Sequence, residues 1–338
     1  MGSSLFNLRS LQNKTKTVET LLVDDCALFA HSESDLQVIV DSFSKATKLF
    51  GLTLSIKKTE VIYQPGPGIR PTPPLIIIDG DELRNVNQFK YLCSTISCDG
   101  SLKKEIVALI SRASRSMGRL QSRVMKNRNI KLSTKIKVYK SVVLTSLLYG
   151  CETWAKYRSH IRQLERFHMR SLKSIMGIRW QDTVPNLIVL DRAKLFSFEA
   201  MIMKAQLRWI GHVIRMDGCR LPRQILYGEL AKGTLGYGRP RKRFKDTIKE
   251  ILKDYGFRAC ELEAHALDRK GWLETVRTTF LAFESNRREH ATKARDKRKA
   301  PAVNPVVTLF QCSFCPKICT SRTGLFSHTR THNKNPQC

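Results

Sequence analysis

Two cysteines, Cys312 and Cys315, are separated by two residues, and twelve residues further on His328 and His332 are separated by three. Two thiolates on a turn and two imidazoles one helical turn apart on the same face close a tetrahedron around Zn²⁺, and few patterns this short are as specific. Phe310, two residues before the first cysteine, and Leu325, three before the first histidine, stand where such fingers bury an aromatic and a leucine. Cys319 takes the usual aromatic core position and is expected to pack there rather than to ligate. Without metal the segment should be unfolded, because zinc binding supplies about 10 to 16 kcal/mol of folding free energy in such modules. The helix positions that ordinarily read bases hold Ser321, Thr323, Gly324 and Ser327, none of which offers the bidentate fork that discriminates guanine or adenine.

A second chemistry is suggested by Asp24 and Asp25. Paired carboxylates on a tight turn between apolar strands can fix two divalent ions about 4 Å apart, activating a hydroxyl and stabilising a leaving group. Standing alone, such a pair is more often an ordinary solvated turn, since Asp is a common turn residue.

Phosphate contacts are the third. Arg239, Arg241, Lys242 and Arg243 lie in a Gly-rich turn, and Arg295, Lys297, Arg298 and Lys299 close a basic stretch that begins at Arg287. Both suit a polyanion backbone, and the second also suits a nuclear localisation run; a solvated charged face is the plain alternative. Lys+Arg 59 against Asp+Glu 29 gives a net charge of +30, a one-signed surface that repels itself unless a polyanion is the partner. RNA or DNA is preferred over a membrane, because no apolar run approaches the roughly 20 residues needed to span a bilayer. The N-terminus reads as lacking a secretory signal, and Gly2 is a poor myristoylation match because Phe6 stands where Ser or Thr is wanted. Seven of the ten cysteines are scattered, which suits reduced thiols in nucleus or cytoplasm. The lone histidines His31, His160, His168, His265 and His290 lack partners at ligand spacing and are assigned no chemistry.

The elements that must position these groups follow from periodicity and punctuation. Leu21 to Val23 and Cys26 to Ala30 read as strands flanking the paired acids. Ser32 or Ser34 should cap an amphipathic helix whose apolar face holds Leu36, Ile39, Val40, Phe43 and Leu49, with Gly51 as its C-cap. Leu52 to Ile56 and Val61 to Tyr63 read as strands. A Pro/Gly-rich break at 64–74 precedes a hairpin turning at Asp79-Gly80 and a strand over Asn87 to Ile96. From Ser101 the spacing turns helical, with further helices over Arg192 to Met216 and Phe244 to Leu252 and a solvated helix or linker over Asn286 to Ala300.

On these residues the chain resembles the reverse transcriptase of non-LTR retrotransposons. Leu22-Val23-Asp24-Asp25 sits where that family has an aromatic, Ala, Asp and Asp, and Gly51 to Thr59 resembles its next palm motif. Phe89-Lys90-Tyr91-Leu92-Cys93-Ser94 resembles the primer-grip strand, with Cys93 in place of the usual Gly. The likeness continues through Lys137-Val138-Tyr139, Leu148 to Trp154 and Arg208 to Met216 to the C-terminal finger.

The resemblance implies an α+β protein: a small antiparallel palm remnant over 1–64, a hairpin and primer-grip-like region over 65–100, thumb-like helices over 101–155, a helical C-terminal domain over 156–284, a basic linker over 285–306 and a ββα zinc finger over 307–334. It implies that Asp24 and Asp25 are a vestigial metal pair, since the chain is expected to begin after the palm strand that supplies the family's other metal-binding aspartate. Mg²⁺ is then expected only if a complementing reverse transcriptase chain completes the site, and polymerase activity is not expected from this chain alone. A regulatory factor that uses the finger for protein contacts is the reading outside this family.

Overall fold

In the computed structural model the described residues are 18–22, 25–64, 72–155, 157–228, 242–254, 262–299 and 309–334. They form two compact units, 1–285 and 286–338. Short strands open the first unit and helices make up the rest, consistent with the α+β class.

Strands β1 (Val18–Leu22) and β2 (Asp25–Phe29) pair antiparallel with Leu22 opposite Asp25. Helix α1 (Glu33–Leu49) starts where the Ser32 hydroxyl accepts the Asp35 amide at 3.1 Å, and beyond its end Gly51 takes φ +68°, the left-handed C-cap conformation. Leu49, expected on the buried face, is 87% exposed; the core beneath α1 comes from Val40, Val61, Ile76, Ile78 and Leu83. Leu52 to Ile56 form no ladder. Instead β3 (Glu60–Val61) pairs further along the chain.

After the break, β4 (Ile77–Ile78) and β5 (Asp81–Glu82) turn at Asp79 and Gly80, both with positive φ as a type I′ hairpin turn requires. Gln37 of α1 bonds both backbone groups of Ile77, at 2.7 and 2.9 Å, serving the strand as a substitute neighbour. Strand β6 (Arg84–Asn85) runs parallel to β3, with Arg84 and Glu60 ion-paired, so this region is not purely antiparallel as anticipated. The strand expected over Asn87 to Ile96 is a hairpin, β7 (Gln88–Tyr91) and β8 (Ser94–Ser97). Its turn residues Leu92 and Cys93 hold φ +45° and +67° without a glycine, a conformation that costs about 1 kcal/mol or more per residue unless surroundings enforce it. The Tyr149 hydroxyl, donating to the Leu92 carbonyl at 2.8 Å, and the Glu105 carboxylate, accepting the Thr95 amide at 2.6 Å, enforce it.

Helix α2 (Lys103–Leu120) continues as a π-turn to Met125; α3 (Leu132–Val138) runs through a second π-turn into α4 (Thr145–Leu147), and α5 (Arg158–Ile175) follows. Ile106, Leu109, Tyr139, Leu147, Leu164 and Leu172 centre their shared core. Within it the Tyr139 hydroxyl lies 2.8 Å from His168 Nδ1. Helix α6 (Asn186–Ala193) ends at Lys194, φ +51°, and α7 (Phe198–Ile214) begins anew at Ser197, so the continuous helix expected from Arg192 is broken. The physical reason lies far along the chain: the buried Glu284 carboxylate accepts from both the amide and the hydroxyl of Ser197, at 3.2 and 2.5 Å, a negative charge placed at a helix N-terminus.

Apolar nearly all round, α7 serves two cores. Phe198 and Ile202 join the first, while Met203, Leu207, Ile210, Val213 and Ile214 build the second with α8 (Leu221–Tyr227), α9 (Phe244–Asp254), α10 (Leu262–Leu267) and the start of α11 (Arg269–Lys299). Trp272 of α11 lies across Gly211 and donates its indole N–H to the Leu207 carbonyl at 3.0 Å.

A Cβ on Gly211 would stand 2.0 Å from Trp272 Nε1, whereas one on Gly118 of α2 would meet nothing. Gly211→Ala should therefore lose at least about 2 kcal/mol by overpacking, and Gly118→Ala should gain up to about 1 kcal/mol of helix propensity, both read from denaturant midpoints. Burial lowers the His168 pKa from 6.5 to about 4. The fold holds this imidazole neutral, so its contribution is present above pH 6.5 and is lost as the pH falls toward 4, by about 3 kcal/mol in all. His168→Gln should remove that part of the slope in denaturation measured across the window.

Candidate metal centre and basic surfaces

In the second unit β9 (Phe310–Gln311) and β10 (Ile318–Cys319) pair antiparallel, and α12 (Arg322–Lys334) follows. The knuckle between the strands is tight because the Cys312 amide donates to the Lys317 carbonyl at 3.0 Å and the Phe314 amide to Cys312 Sγ at 3.4 Å. Ser321 caps α12, its hydroxyl accepting the Gly324 amide at 3.0 Å. The cap sets the phase of the helix, which turns His328 and His332 together toward the knuckle.

The ligand atoms of Cys312, Cys315, His328 and His332 all lie within 4.8 Å of one another. Cys315 Sγ and His332 Nε2 are each 3.1 Å from His328 Nε2. A tetrahedral Zn²⁺ with ordinary bond lengths sets its donors about 3.3 Å apart between nitrogens and about 3.8 Å between sulfurs, so the group could hold a metal ion and its donor set is compatible with zinc. Desolvation, then the charges of Lys317 and His332, lowers the pKa of His328, which favours the neutral imidazole that ligates. Cys319 is buried on β10 opposite Phe310 and is not among the converging donors. Ser321, Thr323, Gly324 and Ser327 are exposed at the start of α12. Among the described residues no other group of three or more His, Cys, Asp or Glu converges this way.

Asp24 lies outside the described residues, and of Asp25 only the backbone, at the start of β2, is within them. Arg239 and Arg241 also lie outside. Lys242 and Arg243 precede α9 and have partners within the chain: the Lys242 ammonium pairs with Glu250 and its amide donates to the Tyr157 hydroxyl at 2.8 Å, while Arg243 binds Asp246 through backbone and guanidinium. They thus help to hold the N-terminus of α9. Arg295, Lys297 and Arg298 lie on α11, with Lys297 and Arg298 exposed; Lys299 ends the helix, its side chain outside the described residues.

A further basic stretch lies outside the contiguous runs. Between Ser101 and Ser197 stand 21 Lys+Arg against 5 Asp+Glu. Within that stretch Arg158, Arg162, Arg166 and Arg170 repeat every four residues along α5, all exposed. The signal was present as a fourfold spacing, but attention to contiguous basic runs passes over it.

The chain is similar to the RNA-directed DNA polymerase from mobile element jockey of Drosophila melanogaster, 21% identical over 165 residues that cover 46% of this chain and 18% of that protein. It is similar also to the probable RNA-directed DNA polymerase from transposon X-element of the same organism, 23% identical over 112 residues that cover 33% of this chain and 12% of that one. The chain thus spans less than a fifth of the length of either. No protein-family model and no solved structure matches it. The two similarities support a reverse-transcriptase-like origin.

Titration of the metal-free protein with Co²⁺ should give the absorption of a tetrahedral Cys2His2 site with one equivalent bound, and Zn²⁺ should displace it. Cys315→Ser should abolish the signal and reduce the helicity of α12, while Cys319→Ala should leave the stoichiometry unchanged. A ligating Cys319 would reverse the last result.

Proposed function

We propose that this chain is a retrotransposon reverse-transcriptase-like protein that binds Zn²⁺ at Cys312, Cys315, His328 and His332 and binds RNA or DNA with little sequence specificity. The convergence of the four donors carries the zinc reading. Nucleic-acid binding rests on the charge of +30 and on the similarity to RNA-directed DNA polymerases. Low specificity follows from the hydroxyl-bearing residues and glycine at the exposed start of α12, which lack the fork that separates one base from another. Affinity then comes from phosphate neutralisation by Arg and Lys, including Arg295, Lys297, Arg298 and Lys299, with Arg239 and Arg241 as further candidates; Lys242 and Arg243 contribute less, being paired with acids.

Asp24 and Asp25 supply two carboxylates, and a two-ion clamp for nucleotide transfer needs a further wall and a preorganised substrate floor. These 338 residues alone are therefore not expected to polymerise. Mg²⁺ and catalysis would enter only with a chain that completes the site.

A second reading has one specific support. Phe314, Ile318 and Phe326 of the second unit are 66, 55 and 64% exposed, and exposed apolar side chains of this size suit contact with a protein.

Binding to nucleic acid should weaken by about 10³-fold or more between roughly 50 and 200 mM salt if six or more phosphates are neutralised, measured by fluorescence anisotropy, and primer extension with Mg²⁺ and dNTPs should yield no product. A flat salt dependence would favour the protein-contact reading, and robust synthesis by these residues alone would end the non-catalytic one.

A further inference from the structure

Helix α5 is sharply two-sided. Ile161, Leu164, His168, Leu172 and Ile175 are buried on one side, while the side away from them presents Arg158, Arg162, Arg166 and Arg170 together with Ser159 and Ser174. Like charges four residues apart repel one another by about 0.2 to 0.5 kcal/mol per pair, so an unrelieved row of four is a standing electrostatic cost. Relief from within the chain is absent among the described residues: none of their ion pairs uses these four arginines. Glu165, the one acid on the helix, is only half-exposed and has an interaction of its own.

The neighbouring helix repeats the pattern. A cavity of about 10 Å³ is lined by Leu102 and Ile106 from the start of α2 and by His160, Ile161 and Leu164 from the start of α5. At the other ends the Gln121 side chain donates to the Ser174 hydroxyl at 3.2 Å. The two helices therefore run side by side in the same direction. Arg115, Arg119 and Arg123 are exposed along α2 and its π-turn at the same spacing, and the sole acid there, Glu105, is buried and paired with Arg112.

We propose that the arginine row of α5 is a docking surface for the phosphate backbone of double-helical nucleic acid, separate from the metal-donor unit. The inference rests on the nucleic-acid reading above and assigns it a place in the fold. From Arg158 to Arg170 the row is about 18 Å long, and that length of duplex presents about ten phosphate charges, enough for each guanidinium to take one with bidentate geometry. A duplex is preferred over a single strand because single-strand surfaces interleave cations with aromatic stacking platforms, and the exposed residues of this face are arginines and serines.

The test is anisotropy of a 20-base-pair DNA duplex, and of one of its strands, with full-length R158Q/R162Q/R166Q/R170Q over about 50 to 300 mM salt. Gln preserves helix propensity and removes the repulsion, and circular dichroism checks the fold. A control variant, K45Q/K204Q/K253Q/K270Q, removes the same charge from exposed lysines outside the palm-like and primer-grip-like motifs. The slope of log affinity against log salt for the duplex should shrink by about 3 to 4 in the arginine variant, by clearly less in the control, and by less for the single strand. An unchanged slope in the folded arginine variant would overturn the inference and leave nucleic-acid binding standing. An equal loss in the control, or for the single strand, would overturn it too. Absence of salt-dependent binding by the unsubstituted protein would bring down the parent reading and this one with it.

Discussion

A chain with a net charge of +30 folds only if its apolar surface is buried without bringing its like charges together. The helices of the first unit meet that constraint by segregation. On α2 and α5 the core side is occupied mainly by Ile, Leu, Met and Ala, and Arg115, Arg119, Arg158, Arg162, Arg166 and Arg170 stand exposed on the other. Burying a Leu or Ile contributes about 1.5 to 3 kcal/mol, several times the repulsion between two solvated arginines one turn apart. The helices therefore hold, and the repulsion remains as a bias toward an anionic partner.

The same constraint explains where the few acids are used. Glu284, 3% exposed, receives two hydrogen bonds from Ser197 and fixes the start of α7. Glu105 holds the β8 backbone and pairs with Arg112, and Asp246 and Glu250 hold Arg243 and Lys242 at the start of α9. Acids are scarce, and these are spent at junctions between elements. On α2 and α5 no acid is exposed, and the charge their outer faces present is positive.

The second unit follows a different rule. Its strands have two residues each and its helix one half-buried leucine facing them, too little apolar surface for independent stability without a staple. Four converging donors within 4.8 Å are a staple of the right chemistry. With zinc as that staple, metal affinity and folding of this unit are one equilibrium.

What the sequence determined by itself was local. The donor spacing at Cys312, Cys315, His328 and His332, the Ser32 cap, the Gly51 stop, the Asp79-Gly80 turn and the helical character beyond Ser101 each depend on contacts within about a turn of chain, which spacing encodes directly. Tertiary structure alone decided the rest: β3 running parallel to β6, the turn at Leu92 and Cys93 held open by Tyr149, the break before α7, the internal pairing of Lys242 and Arg243, and the alignment of α2 beside α5. In each case the deciding partner is distant, as with Glu284 lying 87 residues from Ser197. Packing and electrostatics choose among such partners only once the chain has collapsed, so no periodicity along the sequence records the choice.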